Sequence, residues 1–429
     1  MWRCVCALVV LAGCWSDDPS VNGLTPEQWA HFQAEFTVPA LTSCAQPSCD
    51  RLAMLGKLLF ADKTFSSNGK VACVTCHDPG KAFIDSRTPN NVSLGAITWT
   101  GRNSIATMNL GLKYQLEGTD KMFTWSGRYD SPGKVLELAI NGPFDTDVTT
   151  VEADAIARYG SAYGDILGAS SGSNVLAGME KALDAYLFRI TSVDSPFDQW
   201  LAGSDDAISD SAKRGFVVFV GRGTCVECHS GPLFSDFDFH DTGVPQQGSN
   251  VPLTDLGRST VTHLVDDDGK FQTPSLRNVA LTGRYMHDGF YDSLPAVVDF
   301  YRRGGDDGPY AGVKDPRITP LDLTDDDAHD LVEFLNALTD PSSTLACKQL
   351  TACSGTCTNT LVDFNHCGSC DSACMPTTAC VMGSCVPAGP CMPPDAQCGT
   401  QCVNLETDRH NCGACGRTCA GTCTAGLCE

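Results

Sequence analysis

The sequence is short of positive charge and of long hydrophobic runs. Its 429 residues include 29 Lys and Arg against 51 Asp and Glu, which gives a formal net charge of −22. Such a surface repels a phosphate backbone, so nucleic acid is excluded as a partner, whereas a basic protein would be attracted. The apolar run Val5–Leu11 is too short to span a bilayer, and no later stretch reaches the required length. A hydrophobic content of 42% still supplies ample material for a folded core.

Cysteine, by contrast, is abundant, and all 25 residues can be sorted by position. Four belong to a short motif that occurs twice, and sixteen lie between Cys347 and Cys428. Cys44 and Cys49 flank a short loop that a disulfide could close, and three more lie near the N-terminus: Cys4, Cys6 and Cys14. Such a load is typical of an oxidising compartment outside the cytosol.

The N-terminal segment resembles a bacterial lipoprotein signal. Arg3 precedes the apolar run, which ends in the lipobox-like string Leu11-Ala12-Gly13-Cys14. In lipoproteins of this pattern, cleavage falls before the cysteine, which then carries the lipid. We therefore expect residues 1–14 to be a signal peptide and the protein to lie in the periplasm or cell envelope, tethered to the membrane only through Cys14. A plain signal peptide cleaved elsewhere is the alternative.

The repeated motif is Cys73-Val74-Thr75-Cys76-His77 and Cys225-Val226-Glu227-Cys228-His229. C-x-x-C-H is the attachment signature of c-type haem. The two thiols add across the vinyl groups of the haem, and the adjacent histidine, on the same helical turn, reaches the iron. The alternative is a zinc or redox C-x-x-C, but zinc needs further ligands and neither segment offers a second pair. The motif therefore predicts two covalently bound haem c groups.

Each motif follows an apolar helix after a short, turn-rich link, which indicates two related haem-bearing units. We expect a loose leader over 15–50, a first unit over 51–205 and a second over 206–341. Apolar spacing and caps predict these helices: Pro26–Phe36, Arg51–Phe60, Gly133–Ile140, Thr150–Tyr159 (capped by Thr150), Asn174–Ile190, Ile208–Val220 and Ala328–Leu338. The acidic run Asp325–Asp327 is interpreted as a first helical turn that the helix dipole favours, not as a metal site.

The composition changes completely after Pro341. Segments 347–385 and 391–428 form an internal repeat with eight cysteines each. Five recur at a constant offset of 45: Cys353, Cys357, Cys367, Cys370 and Cys374 return as Cys398, Cys402, Cys412, Cys415 and Cys419. Few large apolar residues are available, so disulfides of unknown pairing must replace a core, with zinc binding as the alternative. We expect two cysteine-rich repeats over 347–429 that serve as a stalk or binding module.

Residues 50–340 resemble the bacterial dihaem cytochrome c peroxidases and their relative MauG. The resemblance rests on four blocks in family order: LGKLLFADKTFS, TWSGR, FHDTGVP and TPSLRNVALTGRYMHDG. It implies a mainly α fold with two cytochrome c-like haem domains that face each other across a calcium ion. Here a small, disulfide-rich, loop-dominated module would follow them. In the family, one haem accepts electrons from a donor and the other binds hydrogen peroxide.

The resemblance also assigns roles to individual residues. His77 would be the proximal ligand of the peroxidatic haem, and His229 that of the electron-transfer haem. Trp125 matches the tryptophan that lies between the haems, although a plain core aromatic is the alternative. The positions that match the calcium ligands are Asn103 and, through their backbone carbonyls, Thr282 and Arg284.

The sequence departs from the family at the distal ligand of the first haem. In peroxidases that need reductive activation, a histidine in the loop after the first motif caps the resting peroxidatic iron. The matching stretch, Ser93–Ala96, ends in alanine, and no other histidine lies between His77 and His229. The first haem is therefore expected to be open to peroxide.

A second departure concerns the other haem. The usual methionine ligand lies about fourteen residues after the histidine that corresponds to His287, and that position is Tyr301, as in MauG. Phenolate favours ferric and higher oxidation states, while methionine raises the potential. Met286 and His240 are the alternative ligands.

The third departure concerns proton transfer. Family members carry a Gln and a Glu above the peroxidatic haem, on either side of a Gly-Pro. Here Gly142–Pro143 is present, but the Glu position falls near Asp145 or Asp147, and the Gln position near Glu137 or Leu138. Peroxide cleavage needs a group that moves a proton between the two oxygens, so Glu137 and Asp147 are the predicted catalytic candidates.

These features predict an enzyme that reduces hydrogen peroxide with electrons from a small c-type cytochrome or another redox donor. The family resemblance also allows a homodimer. Two other functions stay open: a MauG-like oxidase that modifies a partner protein, and an electron-transfer or surface-binding protein without enzymatic activity.

Overall fold

Short α-helices form most of the regular structure in the described part of the chain. The computed structural model describes residues 23–41, 47–85, 87, 92–168, 174–306 and 308–341, and beyond these only strand segments and a few single residues. Contacts divide the chain into two compact units, Met1–Asp340 and Pro341–Glu429. No helix among the described residues is long and apolar enough to cross a membrane. The predicted lipid attachment at Cys14 lies outside the described residues, and so does Cys44 of the predicted Cys44–Cys49 bridge.

The first unit is helical with very little sheet. Its helices are α1 Pro26–Phe36, α2 Pro47–Ala61, α3 Cys73–Cys76, α4 Leu110–Leu116, α5 Val135–Asn141, α6 Val148–Tyr163, α7 Val175–Leu187, α8 Pro196–Leu201, α9 Asp210–Val220, α10 Ser259–Thr262, α11 Leu294–Arg302 and α12 Asp325–Ala337. Two short strands, β1 Phe239–His240 and β2 Phe271–Gln272, pair antiparallel with Phe239 opposite Gln272. The mainly α class and all the predicted helices are confirmed, with ends that shift by a few residues.

One cap differs from the prediction. Helix α6 begins at Val148 and is capped by Asp147, not by Thr150, because the Asp147 carboxylate accepts the Thr150 backbone N–H. Helix α12 has the predicted acidic first turn. There Thr324 caps the helix and forms a capping box with Asp327, so each side chain accepts the other residue's backbone N–H.

The same helix crossing occurs twice. In the α2–α7 pair, Gly56 lies against Ala182 and Tyr186, and a Cβ at Gly56 would come within 1.9 Å of the Ala182 carbonyl oxygen. In the α9–α12 pair, Gly215 lies against Asp330 and Phe334 at the same two offsets, and its added Cβ would again be 1.9 Å from a carbonyl. In each pair, one helix comes before a C-x-x-C-H motif in the sequence and the other comes after it. This repetition agrees with two related haem-bearing parts, although the boundary at 205–206 stays a prediction.

Helix α1 belongs to the core around the second motif. Phe36 is fully buried and stacks on Phe234 with ring centroids 4.7 Å apart, and Trp29 packs on Trp200 at 4.6 Å. The helix over Pro26–Phe36 is therefore confirmed, but its description as part of a loose leader is wrong. Burial of aromatic surface holds it in place, and this burial is not visible in the local sequence.

In the second unit the described residues form two-stranded antiparallel pairs. The strands are β3 Thr351–Cys353, β4 Thr356–Thr358, β5 Thr378–Val381, β6 Ser384–Pro387, β7 Asp395–Cys398, β8 Gln401–Asn404, β9 Cys423–Thr424 and β10 Leu427–Cys428, and each pairs with its neighbour in sequence. The disulfides predicted for this region concern cysteines whose side chains lie outside the described set.

Candidate haem-binding site

One cavity of about 860 Å³ receives both C-x-x-C-H motifs. Its wall is mostly apolar and includes all four motif cysteines together with His77 and His229. Among the described lining residues, the only carboxylate is Glu227, which lies inside the second motif. A large apolar cavity with few polar groups is the usual form of a cofactor site.

The two motif histidines are held in the same way. Each backbone N–H donates to the carbonyl of the cysteine four residues earlier, at 2.9 Å for both His77 and His229. Each ring Nδ1 donates to a backbone carbonyl, that of Phe83 at 3.2 Å and that of Phe234 at 2.9 Å. This leaves Nε2 as the nitrogen that can bind a metal. Burial lowers the pKa of both histidines, so both rings are neutral, as a ligand must be.

The four motif cysteines are free thiols, as covalent attachment of haem requires. Burial raises the pKa of Cys73 to about 12 and that of Cys76 to about 11, so both are neutral thiols. Among the described residues, one group of three potential metal ligands comes together: Cys228, Asp236 and His240. That group uses a single thiol of one motif, so the zinc alternative receives no four-ligand site in the described part of the chain.

Trp125 lies in the cavity wall and is joined to both halves of the unit. Its indole Nε1 donates to the carbonyl of Asn103 at 2.9 Å, and its own carbonyl accepts the N–H of Gln272 at 2.9 Å. Only 9% of the side chain surface is exposed. The ring is thus fixed in one orientation beside the cavity.

The predicted calcium residues partly converge. The side-chain amide of Asn103 lies 2.5 Å from the carbonyl oxygen of Arg284, and the Asn103 backbone N–H donates to the His287 carbonyl. Thr282 lies two residues before Arg284, and its hydroxyl donates to the Val279 carbonyl. The structure therefore brings Asn103 and Arg284 together, while the predicted carbonyl ligand of Thr282 has no described contact with them.

Three candidate sixth ligands line the cavity: Tyr301, Met286 and His240. His240 has both ring nitrogens engaged, with Nε2 at 2.9 Å from Asp236 and Nδ1 at 3.0 Å from Asp315. Burial alone would lower the pKa of His240, but its hydrogen bonds and neighbouring charges, those of Asp236 foremost, raise it to about 10. Because carboxylates engage both of its nitrogens, His240 offers no free nitrogen to iron, whereas Tyr301 and Met286 have no such engagement.

Tyr301 is carried by α11, and its hydroxyl hydrogen-bonds with Thr242. Burial raises the pKa of Tyr301, so the phenol is neutral in the absence of a cation. A bound metal ion reverses this preference, since it stabilises the deprotonated ligand. Both Tyr301 and Met286 therefore remain chemically suitable.

The predicted acid–base residues lie outside the cavity. Glu137 is exposed on α5 and does not line it, whereas its neighbour Leu138 does. Asp147 is exposed and caps α6 through hydrogen bonds to Thr150, which lower its pKa. Asp145 accepts a hydrogen bond from Ser67 at 2.9 Å. The geometry does not support a proton-transfer role for Glu137 or Asp147, because helix rotation and capping direct both carboxylates to solvent.

Sequence reasoning missed two parts of the cavity wall. One is the hairpin 93–100, from which Ser93, Thr98, Trp99 and Thr100 line the cavity, while Ala96 does not. The other is the ion pair of Arg102 with Asp255, two hydrogen bonds of 2.7 Å that connect the two halves of the unit. No local motif identified either. The sequence feature that could have indicated the hairpin is Trp99, which lies three residues after Ala96, the position where the family has its distal histidine.

Two haem attachment sites in one cavity define the class of protein as a dihaem c-type cytochrome. Comparison with known proteins makes the assignment specific. Residues 50–206 match the family model of the di-haem cytochrome c peroxidases. The chain is 31% identical over 325 residues to the methylamine utilization protein MauG of Methylorubrum extorquens, and the match covers 75% of this chain and 87% of that protein. The chain therefore belongs to the di-haem cytochrome c peroxidase family, which includes MauG.

Other relatives agree. A cytochrome-c peroxidase from Pseudomonas sp. (strain SCT) is 32% identical over 322 residues, which cover 68% of this chain and 81% of that enzyme. The crystal structure of a MauG-like protein associated with microbial copper homeostasis is similar with a TM-score of 0.59 and 28% identity, covering 72% of this chain and 96% of that one. Residues 336–388 match the stigma-specific STIG1-like family, in the cysteine-rich region.

Membership makes the protein an oxidoreductase and implies two haem c groups. The residues present fit these groups. Free thiols, neutral histidines with Nδ1 already engaged, and an apolar cavity reached by both motifs are the features that two covalently attached haems need.

Proposed function

We propose that the protein reduces hydrogen peroxide to water with electrons from a small c-type cytochrome or another redox donor protein. The observation that carries this proposal is that both C-x-x-C-H motifs line one cavity, each with its histidine held through Nδ1. When bound, the two haems supply the redox chemistry, and the protein sets their ligation and spacing. Each peroxide consumes two electrons and two protons and yields two waters.

Trp125 is the proposed electron bridge between the two halves. Support comes from its place in the cavity wall and from its two hydrogen bonds, one to Asn103 of the first half and one from Gln272 of the second. The ring is anchored through Nε1 and the backbone of the residue through its carbonyl, so Trp125 does not have to reorganise when charge passes, which favours transfer.

Ligation is proposed to differ between the halves. Tyr301 is the proposed sixth ligand in the His229 half, supported by its place in the cavity wall and by the engagement of His240 with two carboxylates. The His77 half is proposed to be open, since Ala96 lies outside the lining and its backbone is bonded to Pro143 and Asn68. An open position would allow peroxide to bind without prior reductive activation.

Two further features are part of this proposal. Asn103, Thr282 and Arg284 are proposed to hold a calcium ion, supported by the contact of the first with the third. The protein is proposed to act in the periplasm or cell envelope, attached by lipid at Cys14, because its many cysteines suit an oxidising compartment. A homodimer is compatible with both the calcium ion and the cell-envelope location.

The test uses the full chain with both haems attached. Peroxide is added to the resting protein with a reduced c-type cytochrome, and cytochrome oxidation is followed without any prior reduction step. We expect two cytochromes oxidised per peroxide. Trp125→Phe should slow the reaction severalfold, while Trp29→Phe, in α1 and outside the cavity lining, should not. Failure to oxidise the cytochrome above the rate of the free reagents would reject the peroxidase function.

A MauG-like oxidase that modifies a partner protein is the second candidate. Tyr301 in the cavity wall favours it, because a phenolate ligand stabilises higher oxidation states and disfavours electron entry from a high-potential donor. This alternative predicts consumption of peroxide with negligible cytochrome oxidation and with covalent change in a protein substrate.

A further inference from the structure

A short hairpin forms part of the cavity wall in the His77 half. It spans residues 93–100, with Leu94 paired to Trp99 and the Thr100 N–H donating to the Ser93 carbonyl at 2.9 Å. The Gly95 N–H donates to the Thr98 carbonyl, also at 2.9 Å. These bonds fix Trp99 at the base of the hairpin.

The hairpin is clamped onto the segment that follows α5. The Ala96 N–H donates to the Pro143 carbonyl at 2.7 Å, and a Cβ at Gly95 would come within 2.7 Å of the Pro143 backbone. On its other side, the Asn68 side chain donates to the Ala96 carbonyl at 2.8 Å. The hairpin and α5 therefore form one continuous piece of wall with little freedom to separate.

This part of the wall separates the cavity from solvent. Several of its residues both line the cavity and reach solvent. Thr98 and Thr100 line the cavity and are exposed, Trp99 lines it and is half-buried, and Leu138 of α5 lines it with 40% of its surface exposed. Trp99 carries the largest of these side chains.

Trp99, Leu138, the two threonines and Gly142–Pro143 carry no charge. Two cations accompany this lining: Arg87 donates to the Leu94 carbonyl of the hairpin at 2.9 Å, and the exposed Arg128 also lines the cavity. The indole Nε1 of Trp99 makes no hydrogen bond with any residue in the described part of the chain, so the ring is held by the hairpin backbone and by packing. A large indole between cavity and solvent, among uncharged neighbours, favours passage of a small neutral molecule over a bulky one.

We propose that this part of the wall is a mouth of the His77 half of the cavity and that Trp99 is its size gate. It limits access to molecules about the size of hydrogen peroxide and excludes ligands as large as an imidazole. The inference rests on the proposed open position in the His77 half. Trp99 acts here as a specificity-determining residue and takes no part in bond making or breaking.

The test measures ligand binding and needs no turnover. The resting holoprotein is titrated with cyanide and with imidazole, and binding is followed in the absorption spectrum. We expect wild type to bind cyanide well and imidazole poorly. Trp99→Ala should bind imidazole at least about tenfold more tightly and leave cyanide affinity within about twofold, since bulk removed from a pocket changes affinity by factors of this order.

Three further variants make the result specific. Trp99→Phe keeps most of the bulk and should lie close to wild type. Leu138→Ala widens the same mouth from α5 without touching the hairpin and should also favour imidazole. Ile97→Ala removes an exposed side chain of the same hairpin that does not line the cavity, and should change neither affinity.

If imidazole affinity is unchanged in both Trp99→Ala and Leu138→Ala while cyanide still binds, Trp99 is not a size gate. The proposed open position in the His77 half would then remain valid. An equal gain for cyanide and imidazole would also overturn the gate, because size would then not be what Trp99 selects. If wild type binds no cyanide, the proposed open position itself is wrong and the gate is rejected with it.

Discussion

At the scale of single residues, backbone carbonyls prepare both motif histidines for iron. Phe83 and Phe234 each supply the carbonyl that accepts the Nδ1 hydrogen, six and five residues after the histidine. The contact selects the tautomer and fixes the ring, while burial keeps both imidazoles neutral. The two motif histidines are therefore held alike, and the proposed difference between the two halves lies in the sixth ligand.

Tyr301→Phe tests that difference. If Tyr301 is the sixth ligand, its loss converts the His229 site from six- to five-coordinate, because phenylalanine has no donor atom. The resting absorption and electron paramagnetic resonance spectra should then gain a second high-spin ferric signal equal in amount to the first.

Met286→Leu is the matched control, since Met286 lines the same cavity and leucine preserves its volume. Its resting spectrum should equal that of wild type. A reversed result, with a new high-spin signal only in Met286→Leu, would assign the ligand to methionine.

Asp288 should make the stability of the protein depend on pH. It is fully buried, one of its carboxylate oxygens has no partner among the described residues, and burial raises its pKa to about 7. A carboxyl whose folded pKa lies above its unfolded value of 3.8 stabilises the fold below about pH 4, and that stability is lost as pH rises to 7. The loss from this group is on the order of 4 kcal/mol.

Asp288→Asn removes this titration. Urea unfolding of wild type and variant at pH 4, 5.5 and 7.5 should show a difference that shifts in favour of the variant as pH rises. Parallel stability curves across this range would mean that Asp288 does not titrate in it.

At the scale of secondary-structure elements, two glycines permit the helix crossings that support the motifs. Gly56 and Gly215 each bring a helix backbone against the carbonyl of its partner helix, where a Cβ would lie 1.9 Å away. Backbone carbonyls cannot move aside as a flexible side chain can. The close crossing therefore depends on glycine at these two positions.

Gly215→Ala should destabilise the protein by about 1–3 kcal/mol or more, because α9 and α12 must move apart to accept the methyl group. Gly160→Ala is the control, as its added Cβ would meet only the Ile156 side chain at 3.4 Å within α6. There the change should be neutral or stabilise by about 0.5–1 kcal/mol through helix propensity. Thermal and urea unfolding measure both, and equal effects would contradict the close crossing.

At the scale of the whole molecule, the dominant feature is the net charge of −22. A surface of one sign attracts donors of the opposite sign over long range, and salt screens that attraction. The identity of the donor should therefore be reflected in the ionic-strength dependence of the reaction.

Peroxide-driven oxidation of a basic c-type cytochrome should slow severalfold between about 0.01 M and about 0.15 M salt, through a rise in KM. An uncharged small-molecule reductant should show no such dependence, which separates docking from chemistry. A rate with the basic cytochrome that is independent of salt would show that charge attraction does not guide the encounter.

Sequence reasoning predicted the helices, the motifs and the family well, because each depends on residues close together in the chain. It failed where orientation depended on packing. Glu137 and Leu138 are neighbours on α5, about 100° apart around the helix axis, and only tertiary contacts decide which faces the cavity. Asp147 is predicted as a proton-transfer residue from the family's Glu position beside Gly142–Pro143, and the loop after Pro143 has no periodicity from which that register could be checked.

The sequence by itself determined which cofactor the protein carries. The two C-x-x-C-H motifs attach haem covalently through adjacent residues, so both attachment sites can be recognised without knowledge of the packing. It also established the family and the cysteine-rich repeats. Only the tertiary structure decided how the attachment sites share one cavity, that α1 is part of the core, and that Trp99 lines the cavity wall. These depend on contacts between residues far apart in the chain, such as Arg102 with Asp255 and Ala96 with Pro143. Such contacts form because folding must bury apolar surface and satisfy backbone hydrogen bonds at the same time. They cannot be read from any short stretch of sequence, because they depend on the whole chain.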